Sequence, residues 1–235
     1  MRLQRTVILC VLFLAVRSLC GEYGSFDEAV AAAREKYAKR DYAGALSAWT
    51  AAGTITRQPK NLSTVHWEKG NCCFAMKHYR DAANHYRETA QVKNGWEHLA
   101  YRARFREGIC RKNLGEYREA RECFRWLIRK ENFQKEFGRY FFESSIVEYA
   151  QCCVLLHDFE EAEIHFRTCF AELTLAEYRT AMLLERSEFE LKRGNAELAA
   201  GYLKEASGNP GAGKRFKARM ESIRKKLLPY DQKGS

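Results

Sequence analysis

Residues 67–86 read WEKGNCCFAMKHYRDAANHY, and this stretch decides the fold because its pattern recurs along the chain. Tyr79 follows a polar turn, Ala82 comes three residues later, and Tyr86 comes four residues after that. The small residue Gly70 lies upstream of the turn. Spacings of three and four place side chains on one face of a helix. The stretch therefore predicts two antiparallel helices joined by a tight turn.

The same pattern, which we call the phrase, occurs five times, and its alanine marks the equivalent position in each copy. The copies are Tyr42-Ala45-Trp49, Tyr79-Ala82-Tyr86, Tyr117-Ala120-Phe124, Phe159-Ala162-Phe166 and Ala196-Ala199-Leu203. Successive alanines are 37, 38, 42 and 37 residues apart. Small residues precede the copies at Ala33, Gly70, Gly108, Ala150 and Ser187. Because small residues let two helices approach and aromatics fill the space beside them, we expect five helix pairs.

Turn and capping signals agree with these pairs. Gly115 and Gly194 fall in the turns, where a helix end requires a positive φ. Ser25–Glu28 and Thr174–Glu177 have the capping-box pattern that begins a helix.

The phrases resemble tetratricopeptide repeats. The best copy is Trp67 to Gly70 followed by Tyr79, Ala82 and Tyr86, and the resemblance covers about residues 26–206. It implies an all-α fold, a right-handed superhelical solenoid of about five helix pairs plus a C-terminal capping helix. The expected repeats lie at approximately 26–59, 63–96, 101–134, 143–176 and 180–206.

The N-terminal residues 1–20 have the pattern of a signal peptide. Arg2 and Arg5 form a positive head, an apolar run covers residues 6–16, and cleavage is expected before Gly21. The run is too short to span a bilayer as a helix. We therefore predict an exported protein of the periplasm or cell envelope, whose repeats occupy residues 21–206. A lipid anchor at Cys20 is the alternative.

Residues 207–235 contain a breaker, GNPGAG at 208–213, and then a basic segment. Phe216, Met220, Ile223 and Leu227 lie at helical spacing on one face, and basic residues occupy the other. Because the last repeat of an array must cover its apolar face, we predict a capping helix. Contact with a membrane surface is the alternative.

Charge and hydropathy limit the classes of function. The chain has 40 basic and 30 acidic residues, a net charge of +10, which favours acidic partners. Without residues 1–20, 37 basic residues face 30 acidic ones, and the net charge is +7. A mean hydropathy of −0.52 and the lack of an 18-residue apolar run exclude a polytopic membrane protein. Nucleic acid is not an expected partner.

No motif in the sequence predicts an enzyme or a cofactor. Gly208 to Lys214 has the spacing of a P-loop, but Arg215 stands where Ser or Thr must hold Mg²⁺. The sequence contains neither HExxH nor GxSxG. His165 with Cys169, and His78 with His85, supply too few ligands for a metal site, so none is predicted.

Seven cysteines follow the predicted leader: Cys72, Cys73, Cys110, Cys123, Cys152, Cys153 and Cys169. Cys72, Cys110 and Cys152 each lie two residues after a small position. We therefore expect packed thiols, with one or two disulfides or a metal as alternatives.

The resemblance implies that the first helix of each pair lines a concave groove, in which a segment of another protein binds. The predicted groove residues are Arg34, Trp67, Asn71, Phe74, Arg102, Phe105 and Arg106, with Tyr37, Ile109, Val147 and Gln151 beside them. Aromatic and arginine side chains are typical of binding sites. Asn71 matches one residue of the carboxylate clamp of some such proteins, but Trp67 replaces its Lys and Glu148 its Arg, so chaperone tails are not expected.

These features predict a non-catalytic protein-protein interaction scaffold. In length, repeat number and export, the chain is similar to the lipoprotein subunit of the β-barrel assembly machinery of outer membranes. The alternative is a basic-surface binder of an anionic polymer or membrane surface, carried by Lys and Arg residues at 214–226.

Overall fold

A computed structural model describes residues 23–130, 133–210 and 213–231. The predicted signal peptide, with Cys20, lies outside these ranges. Within them the chain forms α-helices without strands, which confirms the all-α prediction. The helices are α1 Phe26–Ala38, α2 Tyr42–Ile55, α3 Pro59–Ala75, α4 Tyr79–Gln91, α5 Glu97–Asn113, α6 Tyr117–Ile128, α7 Phe133–Leu155, α8 Phe159–Cys169, α9 Ala176–Lys192, α10 Ala196–Gly208 and α11 Lys214–Asp231. Among the described residues, no helix is long and apolar enough to cross a membrane.

The chain divides into two compact units, Met1–Cys110 and Arg111–Ser235. The boundary falls inside α5, so the last turn of that helix belongs to the second unit. Each unit is described on its own below, and the right-handed superhelix stays a prediction.

The repeated phrase forms the buried core, as its spacing predicts. Each of the five alanines is 0% exposed. In the first unit, Gly70 of α3 lies against the ring of Tyr86 of α4. A Cβ at position 70 would come within 2.7 Å of that ring. The small residue is therefore required by the aromatic side chain opposite it.

The five turns share one backbone conformation. The residue two positions before each phrase has a positive φ: Arg40 64°, Lys77 62°, Gly115 77°, His157 57° and Gly194 83°. The next residue donates its backbone N–H to a carbonyl five residues earlier, as from Glu116 to Arg111 at 2.9 Å. This closure satisfies carbonyls at the helix end. The prediction for Gly115 and Gly194 is confirmed, and three non-glycine residues adopt the same conformation.

One of the two predicted capping boxes is correct. Ser25 Oγ accepts from the Glu28 N–H at 3.2 Å and caps α1. The prediction for Thr174 is wrong, because α9 begins after Leu175, which makes no side-chain cap bond. The buried carboxylate of Glu143 from α7 caps that end instead. It accepts from the N–H groups of Thr174 and Leu175 at 3.0 and 2.9 Å.

The helix α7 accounts for the longest spacing between alanines. Its backbone has a non-helical conformation at Gly138, with φ 79° and ψ 157°, so α7 consists of two helical segments joined at a kink. A Cβ at Gly138 would meet nothing within 4 Å, and its conformation alone favours glycine.

The C-terminal helix α11 covers the end of the second unit. Met220, Ile223 and Leu227 are buried against Leu184 and Leu203 of the preceding pair, and Phe216 packs partly buried beside them. The amphipathic pattern is therefore that of a capping helix.

A buried ion pair also fixes α11. Arg219 contacts Glu185 at 2.6 Å and Glu188 at 3.1 Å, and the Glu185 side chain is 2% exposed. Burial raises the pKa of Glu185, although Arg219 opposes this effect. Arg219 therefore binds α11 to α9 and does not contribute to the exposed basic face of α11.

The seven cysteines within the described residues are thiols without a disulfide bond, and all except Cys169 are buried. Cys72, Cys110 and Cys152 are 0% exposed between helices, as expected for packing residues. Burial raises the pKa of Cys72 and of Cys152 to about 12. The thiolate needed for alkylation is therefore scarce at these positions.

The left-handed turn yields a paired prediction. Gly115→Ala should lower the free energy of unfolding by about 1–2 kcal/mol, because a Cβ is disfavoured at positive φ. A Cβ at Gly115 or at Gly201, which lies inside α10, meets nothing within 4 Å. Gly201→Ala should therefore stabilise by about 0.5–1 kcal/mol. Urea denaturation compares the two, and equal effects would contradict the turn assignment.

The thiols yield a second prediction. Native protein treated with iodoacetamide at mildly alkaline pH should be labelled first at Cys169, while the six buried thiols react slowly. In urea all seven should react, as counted by mass spectrometry. Cys169→Ser should remove the fast phase. Thiols that stay unreactive in urea until a reductant is added would indicate disulfides instead.

Candidate functional site

The predicted groove residues all lie on α3 and α5, apart from Arg34 on α1, and they belong to the first unit. Arg34, Arg102 and Arg106 are exposed, whereas Trp67, Asn71, Phe74 and Phe105 are half-buried. We call the surface formed by these seven side chains of α1, α3 and α5 the first-helix surface.

Phe74 and Arg106 form the centre of this surface. The Arg106 guanidinium carbon lies 5.0 Å from the centroid of the Phe74 ring, a cation–π distance. Phe74 also contacts Tyr79 edge-on, with ring centroids 5.6 Å apart. Stacking holds the arginine in place while its N–H groups stay accessible for a ligand.

Asn71 and Trp67 are partly engaged within the protein. Asn71 Oδ1 accepts from the Tyr86 hydroxyl at 2.9 Å, and its Nδ2 donates to Glu68 at 3.0 Å. The Trp67 ring lies 5.3 Å from the Tyr86 ring. Both side chains are thus fixed by the buried Tyr86, and this packing gives the surface a defined shape.

Tyr37 of α1 brings a further aromatic side chain to this surface. It is 38% exposed and contacts Tyr42 with ring centroids 5.2 Å apart. Burial raises the pKa of Tyr37, an effect that the nearby Arg106 charge opposes. The charge of Arg106 therefore acts on the Tyr37 hydroxyl, and the surface combines aromatic rings with cationic donors. Such an arrangement can bind a carboxylate in two hydrogen bonds beside an apolar group.

In the second unit, the predicted neighbours of the groove lie on α7. Gln151 accepts from Lys112 Nζ at 2.6 Å, and Glu148 accepts from the same ammonium group. Val147 is half-buried. Glu148, where the carboxylate clamp has Arg, thus binds a lysine of its own chain.

The second unit contains a cleft of about 800 Å³ that the sequence patterns did not predict. It lies among α8, α9 and α10 and is lined by residues that include Glu163, Arg186, Arg193 and Tyr202. Arg186 stacks over Tyr202 at 4.4 Å, and Arg193 pairs with Glu163 at 3.3 Å. The sequence features that could have indicated this cleft are the glutamates of α8 and the arginines Arg186 and Arg193, because both sets recur at helical spacing.

Two groups of metal-ligand type occur among the described residues. His165 Nε2 donates to the Ile146 carbonyl at 2.9 Å, and its Nδ1 lies 3.3 Å from Cys169 Sγ, so the thiol donates to it. His85, considered above with His78, lies instead beside His66 and Glu88. Potential ligand atoms of these three residues are within 4.8 Å of one another. His66 precedes Gly70 by one helical turn and so lies on the face of α3 that meets α4. This position could have indicated that His66 lies beside the residues of α4.

No protein-family model matches the chain, and no curated protein matches it. Among solved structures it is similar to RapI in its apo form, with 15% identity, a TM-score of 0.63, and coverage of 77% of this chain and 52% of RapI. The chain thus spans about half the length of RapI. It also aligns with a tetratricopeptide repeat protein from Parabacteroides merdae, with 16% identity, a TM-score of 0.49, and coverage of 97% of this chain and 78% of the other. The likeness to the β-barrel assembly lipoprotein stays a prediction. With the five phased turns and the RapI likeness, the fold is that of a tetratricopeptide repeat protein.

Proposed function

We propose that the protein is a non-catalytic scaffold that binds a segment of another protein on the first-helix surface. The observation that carries this proposal is the exposed Arg106 stacked on Phe74. Arg34 and Arg102 are further exposed arginines of the first-helix surface, so the favoured segment contains carboxylates and an aromatic or aliphatic side chain. The signal-peptide pattern of residues 1–20 supports a further part of this proposal, that the scaffold acts in the periplasm or cell envelope.

Energetic considerations support a surface of this composition. An arginine held by stacking loses little further conformational freedom when it binds, and its fork can engage a carboxylate at both oxygens. Half-buried rings gain contact area without refolding. A few such side chains supply most of the affinity in many protein interfaces.

The test is a double substitution, Phe105→Ala with Arg106→Ala, together with Arg106→Ala alone. Arg106→Ala should change the free energy of unfolding by only about 0.5 kcal/mol, because the side chain is exposed. Capture of partners from an extract of the native source should fall by the equivalent of about 2 kcal/mol or more. Melting curves and quantitative mass spectrometry measure the two effects.

Two variants calibrate this test. Arg118→Ala removes an exposed arginine on α6, outside the first-helix surface, and should leave capture unchanged. Ala120→Leu should destabilise by about 1–3 kcal/mol, because Ala120 is 0% exposed and a larger side chain overpacks the core. A double variant that melts as early as Ala120→Leu would show that its residues are core. One that melts normally and still captures partners would remove the surface from the proposal.

The basic face of α11 supports the alternative function, binding to an anionic polymer or membrane surface. Met220, Ile223 and Leu227 of its apolar face are buried in the unit, so electrostatic attraction should supply most of the binding, although Leu228 and Tyr230 are exposed. Binding to phosphatidylglycerol vesicles should then fall steeply between about 50 and about 200 mM salt. Lys225→Ala with Lys226→Ala should weaken it. Binding that is insensitive to salt would contradict this alternative.

A further inference from the structure

We propose that His66, His85 and Glu88 form a binding site for a divalent transition-metal ion of the Zn²⁺ type. His66 lies on α3, and His85 and Glu88 lie three residues apart on α4, so the ion would join the two helices of one pair. The site is separate from the first-helix surface and does not depend on the proposed function.

The geometry of the three side chains is close to that of a coordination sphere. The Nδ1 atoms of His66 and His85 each lie 2.9 Å from the same Glu88 carboxylate oxygen. Around a tetrahedral Zn²⁺ ion with bonds of about 2.0–2.1 Å, neighbouring ligand atoms are about 3.3 Å apart. The two nitrogen–oxygen distances are within a few tenths of an ångström of this spacing, and potential ligand atoms of all three residues lie within 4.8 Å of one another.

The hydrogen bonding at the site is incomplete. His85 Nδ1 donates a hydrogen bond to the Glu88 carboxylate at 2.9 Å. His66 Nδ1 is buried and has no hydrogen-bond partner, although the Glu88 oxygen lies near it. A buried polar atom without a partner carries a free-energy cost, and a metal ion would remove that cost.

The protonation states also suit a metal ion. Burial lowers the pKa of His66, so its ring is neutral at physiological pH and has a lone pair for coordination. Burial alone would raise the pKa of Glu88, but the hydrogen bond from His85 leads the effects that outweigh burial and lower that pKa. The carboxylate is therefore ionised. The positive charge of Lys69 acts on both His66 and Glu88, so it would repel a bound cation.

Solvent reaches the site from one side. The side chains of His66, His85 and Glu88 are 27%, 19% and 47% exposed. An ion can therefore enter without unfolding of the pair. Two imidazoles and one carboxylate leave a fourth position open for water or for a ligand from outside.

The experiment titrates ZnCl₂ into the full chain, purified without a histidine tag and kept reduced, by isothermal titration calorimetry. One ion should bind per chain at this site, and a saturating concentration should raise the melting temperature by about 5 °C. His66→Asn and Glu88→Gln should each weaken binding at least tenfold. Glu88→Gln is the safer variant for folding, since this side chain is half exposed. Co²⁺ should give the visible absorption of a site with fewer than six ligands.

His78→Gln is the matched control, because His78 lies at the start of α4 outside the cluster. It should bind Zn²⁺ as the wild type does. Cys169→Ser should also leave binding unchanged, which separates this site from the His165–Cys169 pair. The proposal is wrong if the wild type does not bind Zn²⁺, or if His66→Asn and Glu88→Gln bind as tightly as the wild type. It is also wrong if His78→Gln or Cys169→Ser loses binding to the same extent as they do.

Discussion

The structure depends on the contact between a small residue of one helix and a large side chain of the next. Between Gly70 and Tyr86 this contact is so close that a methyl group at position 70 would overlap the ring. In the fifth pair, Ser187 fills the small position and its hydroxyl donates to the Ala199 carbonyl at 2.7 Å. Such contacts fix the distance and rotation of the helices, and the exposed residues take their positions from them.

The two surfaces of the first unit follow from this one contact. On one side, Tyr86 holds Asn71 through its hydroxyl and Trp67 through its ring. The antiparallel course of α3 and α4 also brings His66 to His85 and Glu88. The core thus presents different chemistry at two places without a loop designed for either.

The core and the turns could be predicted from the sequence because their signals are local. The alanine and aromatic phrase sets the buried face at helical spacing, and glycine marks two left-handed turns. Arg40, Lys77 and His157 adopt the same φ without any such signal, because the helices on both sides impose the turn. The cap of α9 was missed for a related reason: Glu143 lies 31 residues before Thr174, and only packing brings them together. Of the candidate site, residue positions on the helices could be assigned, whereas the stacking of Arg106 on Phe74 depends on how α3 and α5 pack.

The buried Glu143 has a consequence for how the second unit unfolds. Its carboxylate belongs to α7, yet it accepts from the N–H groups of Thr174 and Leu175, the two residues that precede α9, at 3.0 and 2.9 Å. Separation of α7 from the start of α9 would leave the Glu143 carboxyl group without these hydrogen bonds. Neighbouring pairs in a repeat array can unfold one at a time when their interfaces are weak. Here the Glu143 carboxylate links the fourth and fifth pairs, so we expect the two pairs to open together in native-state hydrogen exchange.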